Sequence, residues 1–132
     1  MRSTEFIFES TATTLFHVSR VANRNSIKAN GLQPRSQEFA NIQRTPGIYF
    51  LGTLEQADDW GFWFAMDEGT PVDIWQVAVP ADYELIEDPH EEMDIYNAYI
   101  GYDLVPAANI KLIKTIKKPT SSKNAPPFAK KL

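Results

Sequence analysis

The stretch Leu15-Phe16-His17-Val18-Ser19-Arg20 is the part of the sequence from which the fold can be built outward. Its apolar residues predict a short strand over residues 15–19, which carries the histidine. Residues 22–30 follow with Ile27 as their main apolar anchor, and Gly31 stands where a helix usually ends in a left-handed cap. A strand followed directly by a helix of one to three turns is therefore expected here.

Further elements follow from apolar spacing along the chain. Apolar residues recur every three to four positions over 54–66, which predicts a second helix. The alternation over 72–79 predicts a strand that is buried on at least one face. These short strands and two helices predict an α+β domain, and no glycine-rich dinucleotide-binding turn is present. The other expected elements are a loop over 33–46, strands over 47–51, 99–102 and 110–116, and an acidic loop over 84–94.

Composition limits the classes of function. The chain has 132 residues, enough for one domain, with 43% hydrophobic and 12% aromatic residues. Without cysteine and with only two histidines, neither a disulfide nor a structural metal site is expected. No signal pattern or apolar run of about 20 residues is found, so the sequence predicts a soluble, cytoplasmic protein with no membrane partner.

Charge is divided into three blocks along the chain. Residues 17–44 carry five cations against one acid, residues 45–110 carry no lysine or arginine, and residues 111–132 carry seven lysines and no acid. The lysines and prolines from residue 117 onward predict a domain over 1–116 and a disordered tail over 117–132. This tail could fold on a protein partner and bury Phe128, or could simply be a solvated segment.

A second pattern depends on spacing rather than on composition. After His17 come an asparagine at six positions, an isoleucine at ten and Gly-Leu from fourteen, and an aromatic residue follows Tyr49 by eleven. The full set is Leu15-Phe16-His17-Val18-Ser19-Arg20, Asn23, Ile27, Gly31-Leu32, Gly47-Ile48-Tyr49-Phe50, Trp60 and Asn97-Ala98-Tyr99-Ile100-Gly101-Tyr102-Asp103. Over residues 14–113 this set resembles the NAD⁺-binding signature of the poly(ADP-ribose) polymerase-like (His-Tyr-Glu) ADP-ribosyltransferases.

The resemblance implies a fold and a substrate. It implies the compact ADP-ribosyltransferase fold, with two small, packed, mainly antiparallel sheets, two short helices and a cleft for NAD. In that family His17 would hydrogen-bond a ribose hydroxyl, and the Val18 main chain and Ser19 hydroxyl would hold the nicotinamide carboxamide. Asn23 would hold the loop or the adenosine side. NAD⁺ is then the substrate, and no metal is required.

The chemistry of NAD⁺ explains the remaining residue types. A flat, cationic pyridinium stacks well on electron-rich rings, which makes Tyr49 and Trp60 candidates for the nicotinamide site. Arg20, Arg24 or Arg35 could screen the pyrophosphate.

Each of these residues also has a structural interpretation. The histidine and the aromatics could be core residues, and Ser19 could cap a turn. Trp75 is expected in the core, and His90 is expected to be a surface loop residue rather than a base. The joint spacing favours function for His17 and Tyr49.

Ala98 stands where the family has its catalytic glutamate. That glutamate bonds the nicotinamide-ribose 2′-hydroxyl and stabilises positive charge as the glycosidic bond breaks. Loss of such a group commonly lowers the rate about 100-fold to 1000-fold. The chain is therefore expected to bind NAD⁺ better than it turns it over. A deliberate Glu→Ala inactivation ranks first, ahead of a transferase that recruits a substrate carboxylate and of a natural pseudoenzyme.

The expected function is that of a mono-ADP-ribosyltransferase of bacterial or phage type, acting as a toxin or in phage–host conflict. Its acceptor would be RNA, DNA or protein, and an antitoxin or chaperone could bind the basic tail over 117–132. One alternative is a non-catalytic NAD or ADP-ribose binding module. A lower-ranked alternative is the related RNA 2′-phosphotransferase, which uses basic residues to handle a phosphate and which Arg20 and Arg24 keep open.

Overall fold

The computed structural model describes residues 13–39 and 42–127, and for residues 35–39 and 42–45 it describes the main chain only. This part of the chain forms seven strands and two α-helices, so the α+β prediction is confirmed. The helices are α1 (Arg24–Asn30) and α2 (Leu54–Glu68). The strands are β1 (Thr13–Arg20), β2 (Arg35–Phe39), β3 (Ile42–Leu51), β4 (Val72–Val79), β5 (Leu85–Glu87), β6 (Ala98–Gly101) and β7 (Ile110–Ile116).

The strands of the described segments belong to a single antiparallel sheet. Its order is β5-β6-β3-β1-β4-β7, with β2 paired to β3 off this path. The prediction of two packed sheets is therefore wrong. The reason is the pairing of Phe16 in β1 with Leu51 in β3, which joins the half-sheet β5-β6-β3 to the half-sheet β1-β4-β7. We call this junction the seam.

The sheet is buried on both faces. On the α2 face, Val18 and Ile74 pack with Ala57 and Ala65 of the helix. On the opposite face, residues such as Leu15, Trp75 and Val77 pack with Ile27 of α1. Successive residues of a strand point to opposite faces, so β1 contributes to both clusters in alternation. Burying one large apolar side chain stabilises the fold by about 1.5–3 kcal/mol, so both layers matter.

Helix α2 has well-defined ends. The Thr53 hydroxyl accepts a hydrogen bond of 3.1 Å from the Gln56 main-chain N–H, and Glu55 adds an acid to the first turn. Gly69 ends the helix in the left-handed conformation, with φ 65° and ψ 34°, where a side chain would be strained. Across residues 13–39 and 42–127, no helix has both the length and the apolar character needed to cross a membrane.

Several element predictions hold and two are wrong. The predicted strands over 72–79 and 110–116 coincide with β4 and β7. Within the predicted loop over 33–46, residues 35–39 instead form β2 and residues 42–46 form the first part of β3, because pairing of these two main chains overrides their polar composition. The predicted acidic loop over 84–94 contains β5, which pairs with β6.

The main chain at the end of α1 differs from the expected cap in one angle. Gly31 ends α1 with φ 76° as expected, but its ψ of -166° is extended rather than left-handed helical. After β7, Ser122–Asn124 form a 3-10 turn. The expected disorder of residues 117–132 stays a prediction. Phe128, the apolar residue of this tail that was expected to contact a partner, lies outside the described residues.

A buried carboxylate ties α1 to the sheet. Asp73 is fully buried, and Arg24 donates to both of its oxygens, at 2.9 and 2.7 Å. The Thr115 hydroxyl donates to the same carboxylate at 2.7 Å. Burial alone would raise the pKa of Asp73, but the hydrogen bonds from Arg24 and Thr115 outweigh it and lower this pKa below its ordinary value.

Replacing Asp73→Asn should lower the free energy of unfolding at pH 7 by about 1.5–3 kcal/mol, because hydrogen bonds to a charged group are lost. Since the folded-state pKa is depressed, this stabilisation is present above the ordinary pKa. It is lost as the pH falls below about 4, through the folded-state value. Urea unfolding of the parent and the Asp73→Asn protein measures this. The difference between their free energies of unfolding should be smaller at pH 3 than at pH 7.

The control is Asp58→Asn, because Asp58 pairs at 2.8 Å with Lys114, whose side chain is 46% exposed. This change should cost less than about 1 kcal/mol. An Asp73→Asn effect that does not depend on pH would contradict the proposed charge on Asp73.

Candidate active site

His17 lies at the seam. The residue is 6% exposed, and its ring Nδ1 lies 2.8 Å from the main-chain oxygen of Tyr49. A carbonyl oxygen can only accept, so Nδ1 carries the hydrogen and donates it. The ring also contacts Phe50 edge-on, with centroids 6.3 Å apart. The two motifs that the sequence separates by 32 positions are thus joined directly by one hydrogen bond.

Beyond the seam, β1 and β3 part. Among the described residues, the pairing of β1 with β3 is limited to Phe16 and Leu51, whereas β1 pairs with β4 over its whole length. The β3-facing main-chain edge of β1 near Val18 is therefore not covered by β3. A strand edge of this kind presents N–H and C=O groups that suit a planar amide.

Ser19 is held by the core. It is 7% exposed, and the indole Nε1 of Trp75 donates to its hydroxyl oxygen at 2.9 Å. Trp75 is 2% exposed, so the prediction that it is a core residue is confirmed. A serine hydroxyl can accept and donate together, so this bond also orients the Ser19 proton away from the indole.

Tyr49, Trp60 and Ala98 share the α2 face. Tyr49 pairs with Ile100 and Leu51 pairs with Ala98, which makes Tyr49 and Ala98 diagonal neighbours on one face. Trp60 packs against the cluster that contains Ala98, with its ring 6.1 Å from that of Tyr96. Both candidate stacking rings are half-buried.

Residue 98 is positioned by two buried polar contacts from α2. Gln56, which is 1% exposed, donates to the Asn97 side chain at 3.0 Å and accepts from the Asn97 main chain at 2.7 Å. The Tyr96 hydroxyl donates to Asp59 at 2.6 Å. Burial, and then the Asp59 carboxylate, raise the pKa of Tyr96, so the phenol stays a neutral donor. Helix α2 therefore fixes the chain immediately before residue 98.

The sequence missed a histidine–carboxylate pair beside these residues. His90 Nδ1 lies 2.6 Å from the carboxylate of Asp88, which is buried. The His90 ring lies 6.0 Å from the Tyr49 ring, and the Asp88 N–H donates to the Ala98 carbonyl at 2.9 Å. His90 lies in a loop, as expected, and its side chain is partly exposed, at 20%. The Asp-Pro-His sequence was the signal for this pair in the sequence. The pairing of β5 with β6 is needed to place the pair beside Ala98.

Two of the remaining candidates, Arg20 and Arg24, form ion pairs with carboxylates. Arg20 pairs with Glu68 at 2.7 Å and covers the Phe64 ring at 5.1 Å. Arg24 is bound to Asp73. Asn23 precedes α1, is half-buried and forms no side-chain cap on that helix. The Arg35 side chain lies outside the described residues.

Within residues 13–39 and 42–127, no group of three or more His, Cys, Asp or Glu side chains is arranged to hold a metal ion. Comparison with known proteins gave no match to a protein-family model, a curated protein or a solved structure at a significant level.

Replacing Gln56→Ala should free the segment that positions residue 98. The Asn97 amide would lose a buried partner, which should lower the free energy of unfolding by about 1–3 kcal/mol. Amide hydrogen exchange at Asn97 should accelerate more than exchange in β4. The control is Gln76→Ala, because Gln76 is exposed on β4. If the Asn97 amide exchanges equally fast in the Gln56→Ala and Gln76→Ala proteins, Gln56 does not position the segment before residue 98.

Proposed function

We propose that this chain is an NAD⁺-dependent ADP-ribosyltransferase domain of the poly(ADP-ribose) polymerase-like group, with Ala98 in place of the glutamate. The observation that supports it best is the 2.8 Å contact between His17 Nδ1 and the Tyr49 carbonyl. This contact brings the first two motifs of the resemblance together. The diagonal position of Ala98 beside Tyr49 brings the third to the same junction.

The proposed binding mode follows from the chemistry of these groups. Tyr49 and Trp60 take the faces of the nicotinamide ring on the α2 face of the sheet, and the Val18 main chain holds its carboxamide. The Ser19 hydroxyl, which is bonded to Trp75 on the opposite face, completes the carboxamide site across the uncovered edge of β1. His17 accepts a ribose hydroxyl through Nε2, since Nδ1 already donates to Tyr49. The bond from ribose to nicotinamide then breaks, and its electron pair leaves with neutral nicotinamide.

Ala98 limits the rate in this proposal. The side chain at this position is a methyl group at 3% exposure, so no carboxylate stabilises the developing positive charge from there. The domain therefore binds NAD⁺ and turns it over slowly. A cytoplasmic site of action, a toxin role and an RNA, DNA or protein acceptor are parts of the same proposal.

Two alternatives are separated by specific contacts. Ala98 favours a non-catalytic NAD or ADP-ribose binding module, which is the second candidate function. The RNA 2′-phosphotransferase alternative relied on Arg20 and Arg24, and both guanidiniums form ion pairs, with Glu68 and Asp73. This engagement makes them poorer candidates for an additional phosphate.

Replacing Tyr49→Ala should weaken NAD⁺ binding about 5-fold to 30-fold, since a cation stacked on an aromatic ring contributes on the order of 1–2 kcal/mol. Isothermal titration calorimetry with NAD⁺ measures this. Tyr102→Ala is the matched control, because Tyr102 is 46% exposed and lies past the end of β6. If both variants bind like the parent chain, or the parent binds no NAD⁺, the proposed site is wrong.

Replacing Ala98→Glu should raise NAD⁺ consumption about 100-fold to 1000-fold. The assay is release of nicotinamide from labelled NAD⁺, with protein, RNA and DNA fractions supplied separately as acceptors. Ala98→Gln is the control, because glutamine has nearly the same volume as glutamate but no charge. It measures the effect of crowding at this buried position. A folded Ala98→Glu protein that binds NAD⁺ without consuming it would favour the binding module.

A further inference from the structure

The pair formed by Asp88 and His90 is a built arrangement. Asp88 has a side chain that is 1% exposed, and the same oxygen, Oδ1, lies 2.6 Å from His90 Nδ1 and accepts from the His90 main-chain N–H at 2.9 Å. A carboxylate that accepts from Nδ1 fixes the ring orientation and leaves Nε2 as the basic nitrogen. This is the arrangement that histidine bases use in proteins.

The pair also lies at the proposed reacting centre. In the β5–β6 ladder Glu87 pairs with Tyr99, and the Asp88 N–H extends it to the Ala98 carbonyl at 2.9 Å. Asp88 is therefore next to the position that lacks the family glutamate. The His90 ring lies 6.0 Å from Tyr49, which is the first of the two rings proposed to hold nicotinamide.

We propose that His90 is the general base that removes the proton from a neutral hydroxyl acceptor, and that Asp88 positions it. This inference rests on the proposed transferase function. The acceptor oxygen forms a bond to the ribose C1′, and the C1′–nitrogen bond of NAD⁺ breaks with its electrons leaving on nicotinamide. The hydroxyl proton passes to His90 Nε2, and Asp88 stabilises the imidazolium. The proton is afterwards released to water.

The assignment predicts the chemical class of the acceptor. A carboxylate acceptor has no proton to lose and gains nothing from a base, whereas a hydroxyl becomes a better nucleophile as its proton is removed. The site thus suits a hydroxyl acceptor. It also assigns the base function to the loop that follows β5, whereas contact with the ribose hydroxyl would belong to a glutamate placed at position 98.

The test compares two small nucleophiles in the Ala98→Glu protein. Methanol must lose a proton when it attacks C1′, whereas azide carries none. In an otherwise identical protein, His90→Gln should lower methyl-ADP-ribose formation about 100-fold or more and leave azide transfer within about twofold. Gln keeps the main-chain N–H that bonds Asp88, so the turn is retained. Asp88→Asn should show the same split with a smaller loss.

Imidazole added to a His90→Gly protein should restore part of the methanol reaction. An equal loss with methanol and azide would mean that His90 is structural, and no loss with either would mean that it is not the base. Both results overturn this inference and leave the transferase standing. No transfer to either nucleophile while His90 is intact would overturn the transferase, and the base assignment with it.

Discussion

The hydrogen bond from His17 to the Tyr49 carbonyl is the constraint around which the site is organised. It crosses the seam where the two half-sheets are joined through Phe16 and Leu51. A buried imidazole at such a junction must keep a partner, because an unsatisfied buried donor costs about 1–3 kcal/mol. This hydrogen bond therefore adds to the Phe16–Leu51 pairing across the seam and sets the tautomer of the proposed ligand-binding histidine.

Helix α2 combines packing with positioning. Its face toward the sheet buries Gln56 and Asp59 together with Ala57 and Ala65. The two polar residues are satisfied by the Asn97 and Tyr96 segment, so their burial gives directional contacts that an apolar helix face lacks. The helix consequently specifies where β6 begins, and with it the position of residue 98.

What could be predicted from the sequence depended on the range of each interaction. The pattern of apolar residues over 72–79 predicted β4, because burial of a strand selects apolar residues at neighbouring positions of the sequence. Motif spacing brought His17 and Tyr49 into one hypothesis, and the structure joins them. The β2–β3 pairing, the single sheet and the Asp88–His90 pair depend on which strands become neighbours, and local composition carries little of that information.

The sheet order also sets which strands lie at the ends of the path within residues 13–39 and 42–127. The strands β5 and β7 form the ends of the path, and a free strand edge is a template for pairing with a second molecule. β5 has only three residues, and β7 carries exposed lysines at positions 111 and 114. A short edge offers few main-chain bonds, and a lysine-lined edge must desolvate its charges to pair. These features disfavour amyloid-like stacking of a chain that is otherwise rich in β-structure.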